Sequence, residues 1–486
     1  MAYEDRLEPL SFAVRPRVVL KYTGQLGLAL AALTLVPLGV AAGYEDWPMA
    51  WRLALVVTLL TVAGVPLGRL RSPRTIQTNE ALVVTALVFL VAPLAMSWPM
   101  AATGIPYLDA LFEAVSGVTT TGLTTLASVA ERPPAFLFTR AWMQWYGGLG
   151  FVVLSLALLI GPGVAARRLA NISGEGEDLI GNTRGHARRV LTVYLAFTVA
   201  GIALLWALGL APFAAVVHTL AAVSTGGYSS FDGSLAGLGV STQWAVTLLS
   251  LAGAVALSTW YRAARGGPAA LADDLQLRAL LLAALAVTVV LALFMLRSGQ
   301  SWSEVVRHAP LLALSAQTTT GFASLDVGAL DPAARLTLAG SMLVGGGVGS
   351  TAGGFKILRL LILLRLLQIL LNRTRLVEHA VVEYRLGETR IEPEEGLRAL
   401  LVVVLYIGVV ALSWLPFAAA GYDPLNALFE VVSATATVGL STGITALELD
   451  PWLKGVLCLD MLLGRLEVLA LLVVLYPRTW FGRRND

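Results

Sequence analysis

A single cysteine among 486 residues, Cys458, rules out an internal disulfide, and the four scattered histidines (His186, His218, His308, His379) show no pairing at metal-ligand spacing. Charge is scarce too: Asp, Glu, Lys and Arg make up 13% of the chain, against about 25% in soluble domains. The net charge is +3, and the basic residues fall between apolar runs rather than in a stripe with interleaved aromatics, which argues against nucleic acid as a partner. No short basic leader precedes the first apolar run. Residues Met1 to Arg17 mix Glu4, Asp5 and Glu8 with Arg6, Arg15 and Arg17, so the first span is expected to be retained. What the chain has is apolar side chains, 57% by count, with a mean hydropathy of +0.76. Soluble cores stop growing near ~250–300 residues and still need a polar coat. The sequence therefore reads as an all-α polytopic membrane protein.

A window of about 20 residues crosses the hydrocarbon layer. It predicts ten spans, near 25–44, 49–68, 80–97, 136–161, 188–210, 243–263, 274–296, 333–371, 396–420 and 451–480. Four apolar stretches too short to cross, 107–117, 212–222, 302–316 and 424–434, read as re-entrant helices. Connections on one side carry the arginines, among them Arg69, Arg71, Arg74, Arg167, Arg168, Arg373, Arg375 and Arg483. The side of the short helices has few, such as Arg132, Arg297 and Lys454. The positive-inside rule then predicts that both termini are cytoplasmic and that the short helices enter from outside.

Each short helix runs into a Thr/Ser/Gly loop: Thr119-Thr120-Thr121-Gly122-Leu123, Ser224-Thr225-Gly226-Gly227-Tyr228, Thr318-Thr319-Thr320-Gly321-Phe322 and Ala436-Thr437-Val438-Gly439-Leu440. The last glycines are 105, 94 and 118 residues apart. The first and fourth copies also match upstream, at Glu113 and Glu430 and at Ser116 and Ser433. One such loop means only close helix packing; four, each after a short helix and on one side, make a repeat. A dehydrated monovalent cation needs oxygens in place of its water, and backbone carbonyls from four loops supply them without fixed charge. Glycine admits positive φ and so steers successive carbonyls toward one axis. Each short helix directs its negative C-terminal end the same way. The loop cores hold no carboxylate, against a divalent-cation filter.

These motifs, with Gln144-Trp145-Tyr146-Gly147-Gly148-Leu149-Gly150 and Met461-Leu462-Leu463-Gly464-Arg465-Leu466-Glu467, resemble the Trk/Ktr/HKT superfamily of potassium transporters along nearly the whole chain. The extra pair of spans before residue 98 is similar to the bacterial Trk branch, and Thr437-Val438-Gly439-Leu440-Ser441-Thr442-Gly443 to the Ktr branch. The resemblance implies four covalently linked membrane–pore–membrane repeats around one pore. The expected division is 1–79 (an extra helix pair), then repeats at 80–172, 173–265, 266–375 and 376–486. It implies K⁺, as transported ion and with no resident cofactor, at a filter of Thr120, Thr121, Gly122, Leu123, Thr225, Gly226, Gly227, Tyr228, Thr319, Thr320, Gly321, Phe322, Thr437, Val438, Gly439 and Leu440. Glycine at 122, where sodium-transporting relatives carry serine, favours potassium; a Na⁺-permeable member is the alternative within the superfamily. A homodimer in the bacterial cytoplasmic membrane, in contact with lipid and with a separate cytosolic nucleotide-binding ring, is implied as well.

The eighth span is interrupted at 345–356 by Gly345, Gly346, Gly347, Gly349, Gly353 and Gly354, ending at Lys356. Irregular backbone at membrane depth survives only where it is buried in protein or lines water. A Walker phosphate loop does not fit, because Phe355 separates Gly354 from Lys356. The resemblance implies an intramembrane gating loop, to which Lys356 adds positive charge; the other reading of Lys356 is snorkelling to the interface. Arg465 among leucines is costly in a span and is a gating candidate. Its competing role is a structural pair with Glu467 or Asp460. Asp232 and Asp326 read either as cation-concentrating acids at the mouth or as ordinary loop acids. A secondary transporter with a central solute site remains the rival function, and discontinuous helices in inverted repeats would favour it. An enzyme would need a catalytic constellation, and none is visible.

Overall fold

Hydrocarbon offers backbone groups no water, so the apolar runs must satisfy their peptide hydrogen bonds within helices. A computed structural model describes residues 13–73, 76–159, 179–375, 385–387 and 389–481. Long helices occupy Pro16–Gly43, Trp47–Gly68, Thr78–Met100, Pro134–Leu159, Leu179–Ala207, Leu275–Arg297 and Pro393–Ala419. Many helices start on proline at the first turn, where the missing N–H costs nothing. Asp46, Asp274 and Asp423 cap the helices that follow them by accepting from backbone N–H groups. The short helices lie at Tyr107–Val118, Pro212–Val223, Trp302–Gln317 and Pro424–Thr435, within a residue or so of the sequence reading. A two-residue antiparallel ladder pairs Arg385–Leu386 with Thr389–Arg390.

The added helix pair is pinned to the rest by Arg15, whose Nε and Nη2 donate to the Glu80 carboxylate at 2.7 and 2.8 Å. The first repeat's helix starts at Thr78. The expected boundary at 172/173 lies outside the described residues, and 375/376 falls at their edge.

Where the sequence predicts one interrupted span, the structure breaks three. The eighth span is split into Pro332–Val344 and Ile357–Arg373. The sixth consists of Val240–Ala254 and Leu257–Gly266, bent by 96°. The tenth stops at Arg465 and resumes at Leu469. The sixth span has no proline at its break and only Gly253 close before it; its hydrogen bonds are taken over by the 345–356 segment. Thr351 N donates to Gly253 O at 3.1 Å, Gly347 N to Ala254 O at 3.0 Å, and Leu257 N to Gly349 O at 3.3 Å, replacing the i→i−4 ladder there. In the tenth span Glu467 and Val468 hold φ of 52° and 62°, a conformation rare for a β-branched residue.

Candidate functional site

Every short helix ends in the same way. A threonine in the left-handed region follows it: Thr120 (φ 58°), Thr225 (52°), Thr319 (53°) and Thr437 (50°). The next N–H reaches back five residues, Thr121 N to Ser116 O (2.9 Å), Gly226 N to Ala221 O (2.7 Å), Thr320 N to Ser315 O (3.0 Å) and Val438 N to Ser433 O (2.9 Å). This is a Schellman cap with threonine where glycine is usual. It costs about 1–2 kcal/mol per copy, and the four copies share that strain, a pattern associated with functional sites.

The last glycines follow, again at positive φ: Gly122 at 90°, Gly227 at 75°, Gly321 at 82° and Gly439 at 95°. A Cβ on Gly122 would collide with Gly226 O, on Gly227 with Thr320 O, on Gly321 with Val438 O, and on Gly439 with Thr121 O. Each glycine thus abuts the carbonyl before the next loop's glycine, and the fourth loop returns to the first. The chain closes a ring from loops that are about 100 residues apart.

The ring is held from behind. Ser116 Oγ accepts from Gly122 N and Ser433 Oγ from Gly439 N, both at 3.0 Å. Thr119 and Thr121 share a hydroxyl bond of 2.8 Å, as do Thr318 and Thr320. Nine residues before the glycine, Glu113 accepts from Thr124 Oγ1 (2.6 Å), Thr125 N (3.1 Å) and Arg140 Nε (2.8 Å). Glu430 binds Ser441 and Thr445 in the fourth loop, and His218 meets Ser229 in the second. The side chains of Leu123, Tyr228, Phe322 and Leu440 are buried, and Tyr228 Oη donates to Glu113 O at 2.9 Å. The repeated spacing of Glu113 and Glu430, and of Ser116 and Ser433, was the available sequence signal for these anchors.

Below the ring sits the 345–356 segment, an Ω-like lobe with a closed neck: a Cβ on Gly345 would lie 2.9 Å from Gly354 Cα. Gly353 N donates to Thr319 Oγ1 at 2.6 Å, Thr225 Oγ1 to Thr351 Oγ1 at 3.2 Å, and Gly354 N to Ala436 O at 3.1 Å. A side chain on Gly353 would collide with Ala436 O and Thr437 Oγ1, so only glycine allows this approach. The buried Thr120 and Thr437 hydroxyls have no hydrogen-bond partner among the described residues. Gly346 packs against Ala352 and Ala254, while Gly347 and Gly349 border the bent sixth span. Lys356 is 2% exposed and its Nζ donates to Ala352 O, inside the protein rather than at an interface. Arg465, 1% exposed, reaches Thr351 O at 2.8 Å and Gly147 O at 3.2 Å. Glu467 pairs with Arg359, and Asp460 accepts from Ser413 Oγ at 2.6 Å.

In the exposed loop after the second ring glycine, Asp232 clamps the first repeat, accepting from Val129 N (2.6 Å), Ala130 N (3.0 Å) and Ser128 Oγ (2.9 Å). Burial pushes its carboxyl up, but these three bonds outweigh it and hold the group below the ordinary aspartate range. Asp326 caps its own loop at Gly328 N. Lys454 and Asp109 form a buried 2.6 Å pair between the fourth and first repeats.

This is the architecture of a multi-pass helical membrane protein whose short inner helices converge on one ring of loops. The chain belongs to the TrkH family of cation transport proteins, whose model matches residues 52–479. It is 30% identical over 480 residues to the Trk system potassium uptake protein TrkI of Halomonas elongata, covering 95% of this chain and 96% of that one. It is 27% identical over 458 residues to an uncharacterised cation transporter of Methanocaldococcus jannaschii, covering 94% of each. Its fold matches the crystal structure of the potassium transporter TrkH from Vibrio parahaemolyticus with a TM-score of 0.85 and 26% identity, over 96% of this chain and all of that one.

Proposed function

We propose that this chain is a K⁺ uptake subunit of the bacterial cytoplasmic membrane, with both termini cytoplasmic and four pore repeats surrounding one ion path. The observation that carries the reading is the closed ring: Gly122, Gly227, Gly321 and Gly439 each abut the next loop's carbonyl. Carbonyls in that layer, together with the unpartnered Thr120 and Thr437 hydroxyls, supply oxygens to a dehydrated cation without fixed charge. The names of the potassium uptake relatives favour K⁺ as the ion.

The gate is the lobe from Gly345 to Lys356, whose Thr351 to Gly354 stretch lies against three of the four loops. Arg465 holds it there and adds positive charge to the path. Regulation is assigned to a separate cytosolic nucleotide-binding ring docking on the arginine-rich face of a homodimer. Reconstitution into liposomes under imposed K⁺, Na⁺ and pH gradients tests the reading. K⁺ flux exceeding Na⁺ flux supports it; equal fluxes make the chain a Na⁺-permeable member, and flux only of another solute returns the secondary transporter.

A further inference from the structure

The four loops are not equivalent at the residue before the ring glycine. Threonine stands there in the first and third loops, tied to the hydroxyl of the threonine two residues earlier. Valine stands there in the fourth, and glycine, Gly226, in the second. The space that a side chain would fill at Gly226 is already occupied: a Cβ there would lie 2.5 Å from Gln144 Oε1 and 2.8 Å from Gln144 Cγ. Gln144 belongs to the preceding repeat and is fully buried. Its Nε2 donates to Gly226 O at 2.5 Å and its Oε1 accepts from Tyr228 N at 3.2 Å, so one carboxamide brackets the Gly226-Gly227 pair.

We infer that Gln144 is a positioning residue for the ion filter, a side chain lent by the first repeat to the second loop that fixes the direction of the Gly226 carbonyl and thereby contributes to K⁺ over Na⁺ discrimination. The inference rests on the filter reading above. Matching positions in two other repeats do nothing similar. Gly147, Gly253 and Gly464 each lie against the last carbonyl of their own short helix, Val118 O, Val223 O and Thr435 O. Three residues before each stand Gln144, Ser250 and Met461. Among the described residues Ser250 bonds its own helix, at Val246 O, and Met461 is apolar. Gly226 O is also the carbonyl against which Gly122 packs, so a change in its direction reaches the first loop as well. With one carbonyl carrying a 2.5 Å donor, the layer has an uneven field, three oxygens without this donor and one with it. A filter whose discrimination depends on carbonyl number and field strength will register that.

The test is a complementation. Gln144→Met removes both polar contacts while keeping length and mimicking Met461. The K⁺/Na⁺ flux ratio of purified protein in liposomes is expected to fall roughly fivefold, the population change that loss of the buried bond to the Gly226 carbonyl supports. Gly226→Thr alone collides with Gln144 and is expected to fold poorly or lose selectivity. Gln144→Ala with Gly226→Thr gives the second loop the threonine pattern of the first and third, with Ser224 as its hydroxyl partner, and is expected to recover selectivity beyond either single change. A Gln144→Met ratio equal to wild type in folded protein overturns the inference. So does a folded double variant no better than Gln144→Ala. Gly439→Ser, away from Gln144, is the control for the filter itself. If it abolishes selectivity while the Gln144 variants do not, this inference alone fails; if it too leaves the ratio unchanged, the filter reading fails.

Discussion

Removing the Arg465 side chain should open the conduction path, and the geometry sets the scale of the effect. The guanidinium donates to Thr351 O in the glycine-rich lobe at 2.8 Å and to Gly147 O in the first repeat at 3.2 Å. A charged hydrogen bond contributes about 1.5–3 kcal/mol net, so the bond to Thr351 O fastens the lobe by that amount, while the bond to Gly147 O holds the guanidinium in place. The charge acts separately: a monovalent cation about 5 Å away is repelled by about 3 kcal/mol at an effective dielectric constant near 20. Either contribution alone supports a rise of roughly tenfold to a hundredfold in flux, limited by how fully the path is closed at rest. Arg465→Ala is therefore expected to raise K⁺ flux at least tenfold at matched protein density in liposomes. Two further variants separate the causes. Arg465→Gln keeps a donor for one carbonyl but no charge, whereas Arg465→Lys keeps the charge without a fork able to span both carbonyls. If repulsion dominates, Gln is fast and Lys slow; if the tether dominates, both are faster than wild type. Flux in folded Arg465→Ala equal to or below wild type would refute the reasoning and leave Arg465 as a packing prop.

Gly122→Ser puts a Cβ into Gly226 O at a φ of 90°. Strain of ~1–2 kcal/mol spread over the ring should lower the K⁺/Na⁺ flux ratio by roughly tenfold, and an unchanged ratio in folded protein would count against the filter. Deleting Gly346 to Ala352 removes the lobe at a neck whose flanking residues, Gly345 and Gly353, already touch. Flux should rise with selectivity kept; a folded but inactive protein would mean the lobe is structural. Asp232 has its carboxyl held below the ordinary value of 3.8 by the three hydrogen bonds of its clamp, despite burial. Its stabilisation is thus present above that value and lost as pH falls through the lower folded value. Protease cleavage near Ser128 should increase only in acid, below about pH 4, and Asp232→Asn should remove that acid step.

The sequence by itself determined the elements that obey local rules. Apolar run length separated the crossing helices from the four short ones, because hydrocarbon thickness is a length criterion. The recurrence of Thr and Gly after each short helix marked the loops, because positive φ and a Schellman end are local demands. Tertiary structure alone decided what depends on a partner far along the chain. The sixth span bends at Val255 and Ala256, which carry no breaker signal, because Gly347, Gly349 and Thr351 take over its peptide groups. Glu467 and Val468 leave the helix beside Arg465 and Arg359, again without glycine or proline. Arg465 could equally have been paired with its neighbours in sequence; its bonds to Thr351 and Gly147 exist only because the fourth repeat closes on the first and third. The cyclic order of the ring, and the Gln144 side chain that fills the space beside Gly226, have the same origin. A hydrogen bond needs two groups within about 3 Å, and only the closing of four distant repeats brings these groups that near.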